Sequence, residues 1–149
     1  MYTKRRHVLT ILHNEPLISA VIAWFIAQFL KVIIHLFKEK EFDISKFFAS
    51  GGMPSSHSST VTGLALSVGL TEGFENVTFA ISAIFATIIM YDASGVRLAV
   101  SKHAKLLNDF FHGRIKNYKA LNELVGHTSY EVVVGALIGI IIAIIVSRF

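Results

Sequence analysis

Long apolar runs alternate with polar connections along this chain. Four runs stand out, at about residues 17–37, from about 54 or 56 to 70, from about 77 to 91 with a continuation towards 100, and at about 130–146. A helix needs about 20 mainly apolar residues to cross a bilayer core about 30 Å thick. The pattern therefore predicts an all-α, multi-pass membrane bundle in which the chain, residues 1–149, forms a single domain.

The stretch at residues 101–126 has a different pattern, because it is polar and basic with apolar residues at helical spacing. These apolar positions are Leu106, Leu107, Phe110, Phe111, Leu121 and Leu124. The pair His112-Gly113 predicts a helix break between the two groups. We expect one or two helices at the membrane interface, which gives about four to five membrane-associated helices in all.

Composition supports a membrane protein over a soluble domain. Hydrophobic residues make up 53% of the chain and charged residues 16%, against about 25% charged in a typical globular protein. Such apolar content also argues against disorder. The chain has no cysteine, which excludes disulfides, thiolate metal ligands and thiol nucleophiles.

The net charge of +4 is distributed unevenly over the connections. With four crossings, the first and third connections share a side and hold nine Lys and Arg residues, whereas the other side holds four. The positive-inside rule then places the basic connections in the cytoplasm, although the cluster at residues 4–6 favours the opposite orientation. Anionic lipid headgroups are the expected partners of this charge, and nucleic acid is not.

The segment Gly51-Gly52-Met53-Pro54-Ser55-Ser56-His57 has the features of an anion site. Glycine lets the backbone approach a ligand closely, and a helix N-terminus offers free amides and a positive partial charge. The hydroxyls of Ser55 and Ser56 add donors, and His57 is placed to protonate a leaving oxygen. The alternative is an ordinary helix start with serine caps.

A second candidate pair stands at the start of the last apolar run. His127 and Glu131 are four residues apart and share a helix face, so the carboxylate can hold one imidazole nitrogen while the other attacks. A hydrogen-bonded pair without catalysis is the alternative. Gly135 and Gly139 continue this face and predict a small-residue packing seam.

Polar residues within the apolar runs provide further candidates. Gln28, Lys31 and His35 lie on one face of the first predicted helix, which should point into the bundle. Lys31 would then bind phosphate or pair with Asp92, and Arg97 offers a planar set of donors suited to phosphate oxygens.

These residues resemble a known superfamily. The Pro-Ser-Ser-His sequence at 54–57 is similar to the Pro-Ser-Gly-His element of the type-2 phosphatidic acid phosphatases and vanadium haloperoxidases, and Gly126-His127 with Glu131 is similar to their later His-x-x-x-Asp element. With Tyr-Asp-Ala-Ser-Gly-Val-Arg at 91–97, the combination resembles a divergent branch of small bacterial members, over nearly the whole chain.

The resemblance implies a phosphohistidine mechanism. His127 would attack phosphorus, Glu131 would orient it in place of the family's Asp, and His57 would protonate the leaving alkoxide. The superfamily's first basic element is absent, and Ala120-Leu121 stand where its Ser-Arg would be. We expect Lys31 and Arg97 to replace those charges, and Gly52 and Asp92 to lie in the same site with Ser55 and Ser56.

The predicted function is hydrolysis of a lipid phosphomonoester at the cytoplasmic face of the cell membrane, with phosphatidylglycerophosphate or phosphatidic acid as substrate and no cofactor. Three alternatives remain open. The chain binds phosphate or phospholipid without turnover, it acts on a carrier-lipid pyrophosphate, or His57, His127, Glu131 and Asp92 surround a vanadate or a divalent ion. The sequence does not settle whether it forms a homo-oligomer.

Overall fold

The computed structural model describes Ile11 and residues 13–149, and every regular element in them is helical. The helices are α1 (Glu15–Glu39), a short 3₁₀ helix (Ile44–Phe48), α2 (Ser56–Glu72), α3 (Val77–Ser94), α4 (Val96–Phe111) and α5 (Ser129–Val146). The predicted all-α bundle is confirmed. The basic cluster at residues 4–6, which bears on membrane orientation, lies outside the described residues.

Three stretches of the described chain are long and apolar enough to cross a membrane. They are α1, the α3–α4 region Val77–Phe111, and α5. Their outer surfaces expose large apolar side chains, among them Phe25, Phe29, Ile84, Ile88, Leu137 and Ile141. An apolar surface of this extent is expected where lipid covers the protein.

Helix α2 is the centre of the bundle and packs against α1, α3 and α5. Its contacts with α1 are polar and close: Ser19 Oγ donates to Ser67 Oγ at 3.2 Å, and Ser59 Oγ donates to the Ala23 carbonyl at 2.9 Å. The start of α1 thus meets the end of α2, so the two helices are antiparallel. Small residues at such an interface let helix backbones approach closely in lipid.

The predicted seam on α5 is present and packs against α2. A Cβ atom at Gly139 would clash with Thr62 Oγ1 and with the Ser59 carbonyl, and one at Gly135 would clash with the Ser55 carbonyl. Thr62 Oγ1 also donates to the Ala136 carbonyl at 3.1 Å. Helices α2 and α5 therefore run side by side in the same direction, which brings their first turns to the same end of the bundle.

The third apolar run differs from its predicted extent. Helix α3 ends at Ser94, the chain bends at Gly95, and α4 continues to Phe111. The break at His112-Gly113 is present, and Gly113 has a positive φ of 77°.

Residues 112–128 form turns and irregular segments, so the stretch expected to hold one or two helices has one, α4, and Leu121 and Leu124 lie outside it. The side chain of Asn108 explains this difference. Its amide Nδ2 donates to the Leu121 carbonyl at 2.9 Å, and its Oδ1 accepts from the Leu121 amide at 2.8 Å. Both backbone groups that a helix would use at Leu121 are therefore already bonded.

Candidate active site

The parallel arrangement of α2 and α5 brings two histidines together. His57 lies in the first turn of α2, and His127 directly precedes Thr128, the residue that caps α5. The centroids of their imidazole rings are 6.1 Å apart, and the ring planes are inclined by 64°. The proximity expected from the sequence is therefore found, while the roles of the two rings remain predictions.

The backbone around His127 is fixed against the junction of α3 and α4. The His127 amide donates to the Ala93 carbonyl at 3.0 Å. Ser101 Oγ accepts from the amides of Gly126 at 2.9 Å and Val125 at 3.2 Å. Gly126 lies so close to Leu98 that a Cβ atom there would clash with the Leu98 backbone. Sequence analysis missed Ser101, because no local pattern links a serine on α4 to this loop.

Glu131 faces His127 and also caps its own helix. His127 Nδ1 lies 3.4 Å from Glu131 Oε2, and the same oxygen accepts from the Thr128 amide at 2.9 Å. Thr128 Oγ1 accepts in return from the Glu131 amide, which completes a capping box. The Thr-x-x-Glu spacing that signals this box is visible in the sequence. The box fixes the carboxylate on the Nδ1 side of the ring.

The other ring nitrogen of His127 is the candidate nucleophile. The side chain of His127 is 0% exposed, and Glu131 and the Ser50 backbone both lie close enough to raise its pKa, although neither contact has full hydrogen-bond geometry. Burial lowers the pKa of His127 below the value for a free imidazole, and the nearby Lys31 ammonium lowers this pKa further, whereas Glu131 opposes the shift. The lowered pKa favours the neutral imidazole, which is the form that attacks as a nucleophile.

Lys31 points into the bundle, as its helix face predicted. Its side chain is 4% exposed, and Nζ donates to the Ala49 carbonyl at 2.9 Å and to Ser56 Oγ at 3.3 Å. Gln28, one turn away on the same face, is also buried. The alternative pairing of Lys31 with Asp92 is wrong, because Lys31 is bonded at the start of α2.

The two serines of the motif have different environments. The Ser55 amide donates to the Glu131 carbonyl at 3.1 Å. Its hydroxyl accepts from the amide of Ser58 at 3.3 Å and from the hydroxyl of Ser58 at 2.9 Å. The expectation of a free Ser55 amide is therefore wrong, because this amide joins α2 to α5. The amides of Ser56 and His57 remain as the first-turn donors without a partner among the described residues.

Arg97 and Asp92 bond to each other. Arg97 Nε donates to Asp92 Oδ2 at 2.6 Å, and the two side chains are 40% and 37% exposed. Both are near enough to His57 to interact with it electrostatically. The Arg97 guanidinium is thus paired with Asp92 beside His57, and its expected contact with phosphate stays a prediction.

A cavity of about 310 Å³ opens next to Lys31 and the His127 partner Glu131, and neither His57 nor His127 lines it. Lys31, Glu131 and Gly52 are among its lining residues. Gly52 has a positive φ of 89°, which favours glycine, and a Cβ atom there would meet open space.

Residues 49–53, which we call the strap, lie between this cavity and the start of α2. Gly51 in the strap packs against the Leu124 backbone, and Ser50 Oγ donates to the Leu124 carbonyl at 2.9 Å. His127 does not line the cavity and has no exposed surface. A ligand in this cavity would therefore need the strap or its neighbours to move before it could contact His127.

The described part of the chain does not group His57, His127, Glu131 and Asp92 around one ion. No three of its histidine and carboxylate side chains are grouped as ligands for one metal ion. Asp92 bonds to Arg97, and the Glu131 carboxylate bonds to the Thr128 amide.

Comparison with known proteins identifies relatives of the chain. A profile described as the Divergent PAP2 family matches residues 12–142. The uncharacterized membrane protein YuiD of Bacillus subtilis (strain 168) is 38% identical over 156 aligned positions, which cover 95% of this chain and 99% of YuiD. No solved structure matches the chain significantly. Both motif histidines and Glu131 fall within the matched region.

Proposed function

Because the chain belongs to the Divergent PAP2 family, we propose that it is a membrane lipid phosphatase that hydrolyses a phosphomonoester headgroup through a phosphohistidine on His127. One observation carries the proposal: His57 and His127 lie 6.1 Å apart between ring centroids, with Glu131 on the Nδ1 side of His127. A nucleophile, its orienting carboxylate and a proton donor are the three groups that such a reaction needs.

The proposed reaction has two steps. In the first, His127 Nε2 attacks phosphorus, the ester P–O bond breaks, and His57 gives its proton to the departing lipid alkoxide. In the second, His57 takes a proton from water, the resulting hydroxyl attacks phosphorus, and the P–N bond breaks to release inorganic phosphate and free His127. Glu131 stabilises the positive charge that His127 gains in the first step.

Lys31 is the cation best placed to neutralise the phosphate. It is buried beside Ser56 at the start of α2, where the Ser56 and His57 amides are free and the helix dipole adds positive charge. Arg97 has a smaller role in this proposal, because it is half-exposed and bonded to Asp92. The family's basic elements are thus replaced chiefly by one lysine on α1.

We place the reaction at the cytoplasmic face of the cell membrane, on phosphatidylglycerophosphate or phosphatidic acid. The connections next to the site are the basic ones, which the positive-inside rule assigns to the cytoplasm. A site at helix ends is reached by a lipid that diffuses within the bilayer. A carrier-lipid pyrophosphate presented on the outer face fits this orientation less well.

One observation favours a second candidate, a phospholipid-binding protein without turnover. His127 is 0% exposed, and the cavity stops at Glu131 and the strap. Binding in the cavity needs no movement, whereas catalysis needs the strap to open.

Release of phosphate distinguishes the two candidates. Purified protein in detergent micelles should release inorganic phosphate from phosphatidic acid or phosphatidylglycerophosphate, also in the presence of a chelator. His127→Ala should abolish release, and His103→Ala, which removes an exposed histidine on α4, should leave the rate unchanged. Tight lipid binding by the wild type without any release would reject the phosphatase and support the binding protein.

A further inference from the structure

The cavity beside the candidate active site is lined by a series of basic groups. Lys31, His35 and Lys38 line it from α1, and Lys46 lines it from the 3₁₀ helix. Exposure increases along the series, because Lys31 is buried, His35 is half-buried and Lys38 is exposed. Lys31 therefore marks the inner end of the cavity and Lys38 marks its mouth.

The spacing of these groups fits two anions better than one. Residues three or four positions apart on a helix lie one above the other, about 5–6 Å apart, and seven positions correspond to about 10 Å along the axis. A single phosphate bound by Lys31 would leave Lys38 and Lys46 without an anion at the mouth. A second phosphate joined directly to the first would lie too close to Lys31 to reach both of these lysines.

An apolar surface lies beside the mouth. Phe37 at the end of α1 and Phe42, Ile44 and Phe48 around the 3₁₀ helix are large apolar side chains that are mostly exposed. Phe47, between them in space and sequence, stacks edge-to-face on Trp24 of α1 at 5.7 Å between ring centroids. Because Trp24 lies within a helix that crosses the membrane, this contact draws the connection towards the lipid.

Three zones thus follow one another: the buried Lys31, the basic mouth, and the apolar surface. We infer that Lys38 and Lys46, with His35, form a second anion subsite that binds a phosphodiester between the reacting phosphomonoester and the acyl chains. Such a subsite selects lipids whose glycerol-type headgroup carries a phosphodiester and a phosphomonoester, as in a phosphatidylglycerophosphate. The inference rests on the proposed function, whose site it extends.

Carboxylates near the mouth reduce its positive charge without cancelling it. Glu39 also lines the cavity, and Lys46 Nζ lies 3.6 Å from Asp43 Oδ2. The side chains of Lys46 and Asp43 are each about one-third exposed. A surface pair of this kind contributes little to stability, so Lys46 is available to a phosphodiester that enters the mouth.

Binding to a protein that lacks the nucleophile tests the subsite. In His127→Ala protein in detergent, the dissociation constants of phosphatidylglycerophosphate, phosphatidic acid and a polyprenyl diphosphate are measured by calorimetry. We expect the first lipid to bind about ten times more tightly than the second, because it alone contacts the mouth lysines through a diester. When Lys38→Gln and Lys46→Gln are added to the His127→Ala protein, the ratio of the dissociation constants of phosphatidic acid and phosphatidylglycerophosphate should be close to one.

The matched control is Lys102→Gln with Lys105→Gln, which removes the same charge from the exposed face of α4 and should leave the ratio unchanged. If His127→Ala does not fold, His127→Gln takes its place. Equal affinity for the two glycerolipids, an unchanged ratio in the mouth variant, or a preference for the polyprenyl diphosphate would overturn the inference. Failure of phosphate release in the wild type rejects the phosphatase alone, because this ratio is measured without turnover.

Discussion

The imidazole rings of His57 and His127 lie edge-to-face with 6.1 Å between their centroids, although α3, α4 and most of α2 separate them in the chain. Attack on phosphorus and proton transfer to the leaving oxygen each need contacts of about 3 Å. The separation therefore suits a phosphoryl group held between one ring that attacks and one that donates a proton. The glycine seam between α2 and α5 fixes this relationship.

The proton-donor role of His57 predicts a dependence on the leaving group. His57→Gln should lower kcat/KM, which reports the first step alone, about 10²–10⁴-fold on a lipid phosphomonoester, because a lipid alkoxide leaves only with a proton. On an activated aryl phosphate, whose phenolate leaves unprotonated, the loss should be less than about tenfold. Rates on the two substrates are compared in the same micelles. Equal losses on both would mean that His57 has another role.

The pairing of Glu131 with His127 predicts a shift in the pH profile. Glu131 raises the pKa of His127, so Glu131→Gln lowers this pKa and leaves more of the imidazole neutral at acidic pH. The variant should be slower, yet the acidic limb of its kcat profile should move to lower pH. Gln also serves in a capping box, so the helix start is preserved. A limb that moves to higher pH would contradict the assignment.

Lys31 and Arg97 should differ in their importance. Lys31→Gln keeps a donor for the Ala49 carbonyl and removes the buried charge, so kcat/KM should fall about 10–100-fold, as for a charge-assisted hydrogen bond of about 1.5–3 kcal/mol. Arg97→Gln removes a half-exposed pair with Asp92 and should cost less than about fivefold. Steady-state kinetics on both variants give the comparison. The reverse order would make Arg97 the principal phosphate ligand.

The strap at residues 49–53 should control access to His127. Ser50→Cys with Leu124→Cys introduces two thiols on segments that the hydrogen bond from Ser50 Oγ to the Leu124 carbonyl holds together, in a chain that has no cysteine of its own. The oxidised variant should lose phosphate release and protect His127 from acylation by diethyl pyrocarbonate, and reduction should restore both. Oxidised protein that remains fully active would mean that substrate reaches His127 by another route.

Local patterns in the sequence predicted the helical runs and the direction in which Lys31 points. Apolar run length located the three stretches that can cross a membrane, because a membrane helix must bury about 20 residues in lipid. Helix α2, whose run was expected to be a fourth crossing, is not among them. The face shared by Gln28 and Lys31 is buried as expected, since lipid disfavours exposed polar groups. Glu131 lies beside His127 as expected, but not through a shared helix face: His127 precedes the cap of α5, and the capping box of Thr128 and Glu131 turns the carboxylate towards it.

Contacts between distant residues lay beyond these patterns. The Ser55 amide bonds the Glu131 carbonyl, and Asn108 holds Leu121 in a non-helical conformation. The bend at Gly95 leaves Arg97 beside Asp92 and not at the cavity. The first two pairs join residues far apart in the sequence, and the local Arg97–Asp92 pair depends on the interruption of the helix at Gly95; spacing along one regular helix encodes none of them.

The covalent intermediate on His127 is the central claim, and its direct detection is the decisive measurement. Protein mixed with a lipid labelled with radioactive phosphorus in its monoester is quenched at alkaline pH, digested and sequenced by mass spectrometry. We predict label on the peptide that contains His127, stable in alkali and lost in acid, and absent from His127→Ala protein. Phosphate release by the wild type with no labelled peptide, together with a His127→Ala variant that releases phosphate at the same rate, would contradict the phosphohistidine mechanism.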